Sequence, residues 1–362
     1  MVELEALGWD GEWERAFAAL GDRGWAPGRV ALEDKQAFVA VTAEGEVRTR
    51  LAGRLLKDRS RPETLPKVGD WVALSRKAGD TRSVVQEVLP RRTFLARKVP
   101  GRETAPQVLA ANMDVVFVVQ SLDATFNLRR LERFLVMVHE GGARGVVVLN
   151  KADLAEAVED RLAEVRATVG ATPVLVVSAR TRRGLGELRK HVAPGRTAVF
   201  VGTSGVGKSS LINRLHGEAI QPTLEVRAWD GKGRHSTTWR ELILLPDGGL
   251  VIDTPGMREF HMWTAEGGLD EAFPDIAELA LGCHFRACSH TSEARCAVRV
   301  ALGEGRLSEA RFASFRKLQR ELADLATERR DRTYVLRRRA GRIRRGGEEG
   351  GAEFVRPDGA DE

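Results

Sequence analysis

An apolar stretch, Ala198–Val201, runs directly into Gly202-Thr203-Ser204-Gly205-Val206-Gly207-Lys208-Ser209. That segment fits G-x-x-x-x-G-K-[ST], a loop that functions between a buried strand and the start of a helix. Its glycines let backbone N–H groups turn inward around phosphates, and the helix points its positive end at the same anion. Lys208 is placed to reach β- and γ-phosphates, the Ser209 hydroxyl to ligate Mg²⁺, and Ser210 follows in the same turn. One such strand–loop–helix unit cannot bury its own apolar face. The surrounding chain must therefore supply an α/β sheet.

The surrounding pattern agrees. Val115–Val119, Gly145–Leu149, Val174–Val177 and Ala198–Val201 read as strands. They alternate with helical patterns over Leu128–His139, Leu154–Val169, Leu185–His191 and onward from Ser209. Such alternation predicts a mostly parallel sheet, completed by Leu242–Leu245 and Leu250–Ile252. Asp253-Thr254-Pro255-Gly256 closes the last strand. A carboxylate there can hold Mg²⁺ through water, and the Gly256 N–H can meet a γ-phosphate.

Asn150-Lys151-Ala152-Asp153 follows a strand and resembles the guanine-reading box of translation-factor and Ras-like GTPases. Asp153 can accept from guanine N1–H and the exocyclic amine, two donors that adenine does not present on that edge. The Lys151 stem can cover the base, and Asn150 can tie its loop to the phosphate loop. Ser178-Ala179, one β–α unit later, resembles the companion box whose backbone N–H meets guanine O6. In the usual order the phosphate loop comes first and the base boxes last. Here the order is inverted, which marks a circular permutation. A domain tolerates such a cut when its original termini lie close together.

Many Ras-like GTPases place a Gln just after D-x-x-G to orient the attacking water. Here that position is Met257, so another residue must act or intrinsic hydrolysis is slow. Gly231-Lys232-Gly233-Arg234-His235-Ser236-Thr237-Thr238 lies where a switch loop is expected. His235 can orient the water, and Thr237 or Thr238 can sense γ-phosphate and Mg²⁺.

The chain has three cysteines, all between positions 283 and 296. That clustering argues against a disulfide framework and for one local site in a reducing compartment. Cys283, Cys288, His290 and Cys296 suit a closed Cys₃His zinc site, one structural ion per chain. Upstream, Ala37–Val41, Val47–Leu51, Asp70–Leu74 and Ser83–Val88 are short strand-like runs and suggest a small β-barrel. Trp9, Trp13, Phe17 and Leu20 have helical spacing, a packing element.

The formal charge of +6 is mildly basic. Arg329 to Arg345 is arginine-rich with one acidic residue, Asp331, whereas Glu348 to Glu362 turns acidic. The run reads either as a solvated or disordered tail or as a nucleic-acid contact. The longest apolar runs are strand-sized, and a membrane span needs about 20 residues. The acidic N-terminus has no apolar signal region, so a cytoplasmic address is expected.

Together these motifs resemble the ribosome small-subunit-dependent GTPase family (RsgA, also called YjeQ), over about residues 28–325. The resemblance implies an N-terminal OB-fold barrel, a central circularly permuted P-loop GTPase domain and a C-terminal helical zinc-binding domain. The corresponding division is 1–27 as an extension, 28–104 as the RNA-binding OB-fold, 105–265 as the GTPase domain, 266–330 as the zinc domain and 331–362 as the tail. It implies GTP hydrolysis to GDP and phosphate, stimulated by the small ribosomal subunit and its rRNA, in late subunit assembly. His235 matches the family's proposed catalytic histidine. A monomer with no membrane partner is expected. Ser236 stands where the family loop usually has Thr, the first 26 residues have no assigned role, and the acidic end departs from the family's basic tail. The competing reading is a nucleotide-gated RNA-binding module, acting on another RNA or ribonucleoprotein, with incidental hydrolysis.

Overall fold

The computed structural model describes residues 2–34, 37–57, 64–76, 80, 82–98, 106–217, 240–253 and 268–327. His235, Thr237, Thr238, Gly256, Met257 and the arginine-rich tail lie outside the described residues.

Five strands close a barrel: β1 (Ala26–Asp34), β2 (Ala37–Thr42), β3 (Gly45–Leu51), β4 (Trp71–Ser75) and β5 (Ser83–Val88). Their order is β1-β2-β3-β5-β4, and β4 returns to pair with β1. β3 and β5 run parallel and the other neighbours antiparallel, an OB-type arrangement. The interior is apolar, with Val30, Ala40, Val72 and Val85 fully buried. Strand β1, which the sequence pattern did not single out, contains Gly28. A Cβ there would come within 2.7 Å of the Leu74 side chain.

The N-terminal segment packs on this barrel. Asp10 caps α1 (Gly11–Ala18) by accepting from the Glu12 and Trp13 N–H groups. Trp9 and Trp13 flank the buried Trp71, with ring centroids at 4.7 and 6.3 Å. The expected packing role of these tryptophans holds, although only Trp13 and Phe17 lie within the helix. Arg29, 2% exposed, donates to the carbonyls of Leu7, Gly69 and Asn112. Burial pushes its guanidinium down to about 10, so it remains charged at neutral pH.

After a two-stranded ribbon, β6 (Phe94–Lys98) with β7 (Pro106–Ala111), the α/β part begins. β8 (Val115–Ser121), β9 (Arg144–Asn150), β10 (Val174–Val176), β11 (Thr197–Val201) and β13 (Leu250–Asp253) run parallel in the order β10-β9-β8-β11-β13. β12 (Arg240–Leu244) adds an antiparallel edge to β13. Every residue of β8 is buried, as expected of a central strand covered on both faces. Alternate side chains serve two cores. Val116, Val118, Val147 and Leu149 meet α3 (Leu128–Glu140) and α4 (Val158–Val169). Val115, Phe117, Val146 and Val148 meet α5 (Leu185–Lys190) and α6 (Lys208–His216).

Helix α4 starts at Val158 and not at Leu154. The Leu154 N–H donates to Lys151 O in a turn at 2.9 Å, and Leu154 stays 56% exposed, so the apolar periodicity there was misleading.

The barrel and the α/β sheet form one continuous sheet, because β12 pairs antiparallel with β1 through Leu32↔Glu241 and Glu33↔Arg240. Glu33 anchors the seam through ion pairs with Lys67 and with Arg240, the latter at 3.1 Å. Beyond residue 267 follow α7 (Gly268–Ala272), α8 (Pro274–Ala280), α9 (Ala297–Gly303) and a helix, α10, over 309–327. Among the described residues no helix is long and apolar enough to cross a membrane.

Candidate nucleotide site and metal centre

At the carboxyl ends of the parallel strands, β11 turns into the phosphate loop and α6. Gly202 and Gly207 have φ of +147° and +97°, values that favour glycine. Space demands glycine as well. A Cβ on Gly202 would lie 2.4 Å from Val119 O, and one on Gly207 would lie 2.3 Å from the Asn150 amide nitrogen. Lys208 Nζ is held over the loop by the carbonyls of Gly202 and Thr203, at 2.8 and 2.9 Å. Asp253 ends β13, the immediate parallel neighbour of β11, so it lies at the same end of the sheet as the loop.

The candidate base-reading loops converge on the same end. Asn150, 1% exposed, links three segments: its Nδ2 donates to Val206 O at 2.8 Å, and its Oδ1 accepts from Ala179 N at 3.1 Å. Thus the sequence-predicted tie between base box and phosphate loop is a direct hydrogen bond. Lys151 adopts φ +62° and its Nζ reaches Asp123 Oδ2 at 2.9 Å. That contact, with help from hydroxyls, holds the Asp123 carboxyl well below the usual range. Ser178 Oγ donates to Asp153 Oδ1 at 2.6 Å and accepts from Thr181 N at 3.0 Å. The Ser178 hydroxyl is the main reason the Asp153 carboxyl titrates below its ordinary value.

Between these loops and α6 opens a cleft of about 560 Å³, lined by Asn150, Lys151, Asp153, Ala179, Gly207 and Ser210 among others. Arg180 and Arg214 also line it. Sequence reasoning passed over both, and over Asp123. Asp123 sits two residues past the end of β8, where the carboxyl ends of parallel strands gather ligand-binding groups. That placement was the available signal. The arginines carry none, being two among many.

In the metal lobe, the ligand atoms of Cys283, Cys288, His290 and Cys296 all lie within 4.8 Å of one another. Cys283 Sγ is 3.8 Å from Cys296 Sγ, and His290 Nδ1 is 3.6 and 3.4 Å from these two sulfurs. The cluster can hold a metal ion. His290 and Arg295, within and beside the cluster, both have φ +57°. His284 stays outside the cluster, its ring against Phe285 at 4.8 Å.

A family model described as RsgA GTPase matches residues 88–263. A second, described as 50S ribosome-binding GTPase, matches 197–334, starting at the strand ahead of the phosphate loop. The chain is 45% identical over 331 residues to the small ribosomal subunit biogenesis GTPase RsgA of Opitutus terrae, covering 89% of this chain and 90% of that protein. It is 40% identical to the protein of the same name from Syntrophotalea carbinolica, over 93% of this chain and 96% of the relative. The crystal structure of YjeQ from Thermotoga maritima superposes with a TM-score of 0.61 at 27% identity, covering 83% of this chain and 99% of that one. YloQ, described as a circularly permuted GTPase, gives 0.60 at 27% identity, over 84% and 97%. A permuted phosphate and base site in an α/β domain joined to an OB-type barrel, with identity of this level over nine-tenths of both sequences, leads to one conclusion: the chain is a GTP hydrolase and belongs to the RsgA family of small ribosomal subunit biogenesis GTPases.

Proposed function

We propose that this chain binds the small ribosomal subunit during its late assembly in the cytoplasm, as a monomer, and hydrolyses GTP when bound there. The observation that carries the nucleotide part is the position of Asn150, bonded at once to the phosphate loop and to the Ser178-Ala179 loop. Base and phosphates are thereby read by one rigid unit. Asp153 accepts from guanine N1–H and the 2-amino group, and its lowered pKa keeps it ionised for this task. The Lys151 stem covers the base, and a backbone N–H of the Ser178-Ala179 loop meets O6. Residues 202–209 wrap the phosphates, with Lys208 leaving its loop carbonyls for the β- and γ-oxygens. The donor set of Ser209, Thr238 and Asp253 is all oxygen, as Mg²⁺ requires. Bound with GTP, Mg²⁺ neutralises charge on the β- and γ-phosphates. The Gly256 N–H meets the γ-phosphate, Thr237 or Thr238 senses it, and His235 orients the attacking water.

The metal is zinc, one per chain. Its tetrahedron has edges of about 3.8 Å between sulfurs and about 3.5 Å between sulfur and nitrogen, given bonds of about 2.3 and 2.0 Å. The three distances among Cys283, His290 and Cys296 match these, and the Cys288 sulfur lies within 4.8 Å of the other ligand atoms. Four protein ligands close the coordination sphere, so the ion holds the lobe together.

The partner follows from the relatives, which bear the small subunit in their names. The OB-type barrel is an architecture suited to RNA. Co-sedimentation with isolated small subunits, large subunits and tRNA tests it, using a non-hydrolysable GTP analogue. Binding to small subunits alone is expected, and equal binding to all three overturns the partner. Met257, in place of a water-orienting Gln, favours a second reading, an RNA-binding module with incidental hydrolysis. Turnover unchanged by added small subunits would establish that reading.

A further inference from the structure

Arg214 stands in the last turn of α6, half-buried, on the wall of the nucleotide cleft. Its Nε donates to the carbonyl of Ala179 at 2.9 Å, across 35 residues of chain. The turn that carries it is itself pinned, because Arg189 Nη2 donates to the carbonyls of both Arg214 and Leu215 at 3.1 Å. Arg189 in turn pairs with Asp247. The phosphate-loop helix therefore grips the Ser178-Ala179 loop from one side, while Asn150 holds the Ala179 N–H from the other.

We propose that Arg214 is a positioning residue for guanine: by holding the Ala179 carbonyl against α6, it keeps an acceptor out of the place that must offer donors to O6. The argument is electrostatic. Guanine O6 is an acceptor, so an Ala179 carbonyl turned toward it would set acceptor against acceptor. Specificity built this way works by exclusion as well as attraction. A trans peptide also points its C=O and the following N–H in opposite directions, so fixing the Ala179 carbonyl fixes the Arg180 N–H as well. The proposal rests on the reading of this cleft as the guanine site.

The test uses the full-length chain and nucleotides altered on one edge at a time. Dissociation constants are measured for GTP, 6-thio-GTP (weakened acceptor at position 6) and ITP (2-amino group removed). In Arg214→Met, which keeps the stem but not the donor, GTP binding should weaken about tenfold, the scale of one charge-assisted hydrogen bond. The preference for GTP over 6-thio-GTP should fall toward one, while that for GTP over ITP, set by Asp153, stays as in the parent. Arg214→Gln, whose amide can still donate, should regain part of the loss. If Arg214→Met weakens all three nucleotides by one common factor, or none, the positioning role is overturned. Asp153→Asn tests the underlying assignment separately. If that variant keeps its preference for GTP over xanthosine triphosphate, the cleft reading fails whatever Arg214 does.

Discussion

Arg311 of α10 donates through Nη1 to Glu132 Oε1 of α3 at 2.7 Å, with the two side chains 8% and 1% exposed. Around them Arg311 also reaches Asp275 and Ala272 O, and Ser314 donates to Glu132. A buried pair satisfied on every side joins the metal lobe to the helix between β8 and β9.

Arg129 also pairs with Glu132, at 3.0 Å, so removing Arg311 takes one charged hydrogen bond from a carboxylate that keeps a second cation. Arg311→Met should therefore lower the unfolding free energy by about 2–3 kcal/mol. Urea denaturation followed by tryptophan fluorescence measures this. A change below about 1 kcal/mol would show that the junction is solvated.

Guanine selection should move with the partner of Asp153. Asp153→Asn should weaken GTP binding and favour xanthosine triphosphate, whose 2-oxo group accepts from the amide. Parent-like GTP affinity in direct titration would remove Asp153 from base reading.

The pH dependence of binding follows from the Ser178 hydroxyl on Asp153. A depressed carboxyl pKa means the interaction is fully present above the ordinary value, about 3.9, and is lost only as pH falls through the lowered one. Asp153 should cost GDP affinity nothing from pH 8 to about 5, protonation of the terminal phosphate at about pH 6 being common to parent and variant. In Ser178→Ala the decline should begin at higher pH than in the parent. A decline beginning at the same pH in both proteins would contradict the assignment.

Metal removal should act locally. Elemental analysis of protein purified without chelator should give one zinc per chain, lost in Cys296→Ala. Proteolysis should then open residues 268–327 while the parallel sheet stays protected. Absence of metal from the parent protein would sink the zinc reading.

His235 and Lys208 should separate chemistry from binding. Lys208→Ala should damage nucleotide affinity, because it removes a charge from the phosphate loop. His235→Ala should leave GTP affinity nearly unchanged and lower subunit-stimulated turnover on the order of 10²–10⁴-fold. Single-turnover hydrolysis with saturating small subunits decides this, and parent-like rates would assign the water to a group from the ribosome.

Much of the site was legible because its chemistry is written in consecutive residues. Gly202–Ser209 carries its own glycines, cation and helix start, and Asn150–Asp153 its own carboxylate and lysine. Cys283, Cys288, His290 and Cys296 lie close enough in the chain for spacing alone to bring them together. The strands β8, β9 and β11 were visible because burial on both faces demands unbroken apolar runs. β1 was not, since Pro27, Gly28 and Arg29 interrupt its pattern, and the buried Arg29 is satisfied only by carbonyls from distant segments.

By itself, then, the sequence determined the permuted order of motifs, the nucleotide they read and the Cys₃His cluster, because each depends on neighbours within a few residues. Tertiary structure alone decided that β12 joins β1 to make one sheet of barrel and α/β domain. It also decided that Arg214 holds Ala179 across 35 positions and Arg311 holds Glu132 across 179. The physical reason is common to all three. Strand-pairing groups are the same in every residue, and an arginine's partner is set by where the folded backbone brings a carbonyl or carboxylate, so neither leaves a periodic trace in the chain.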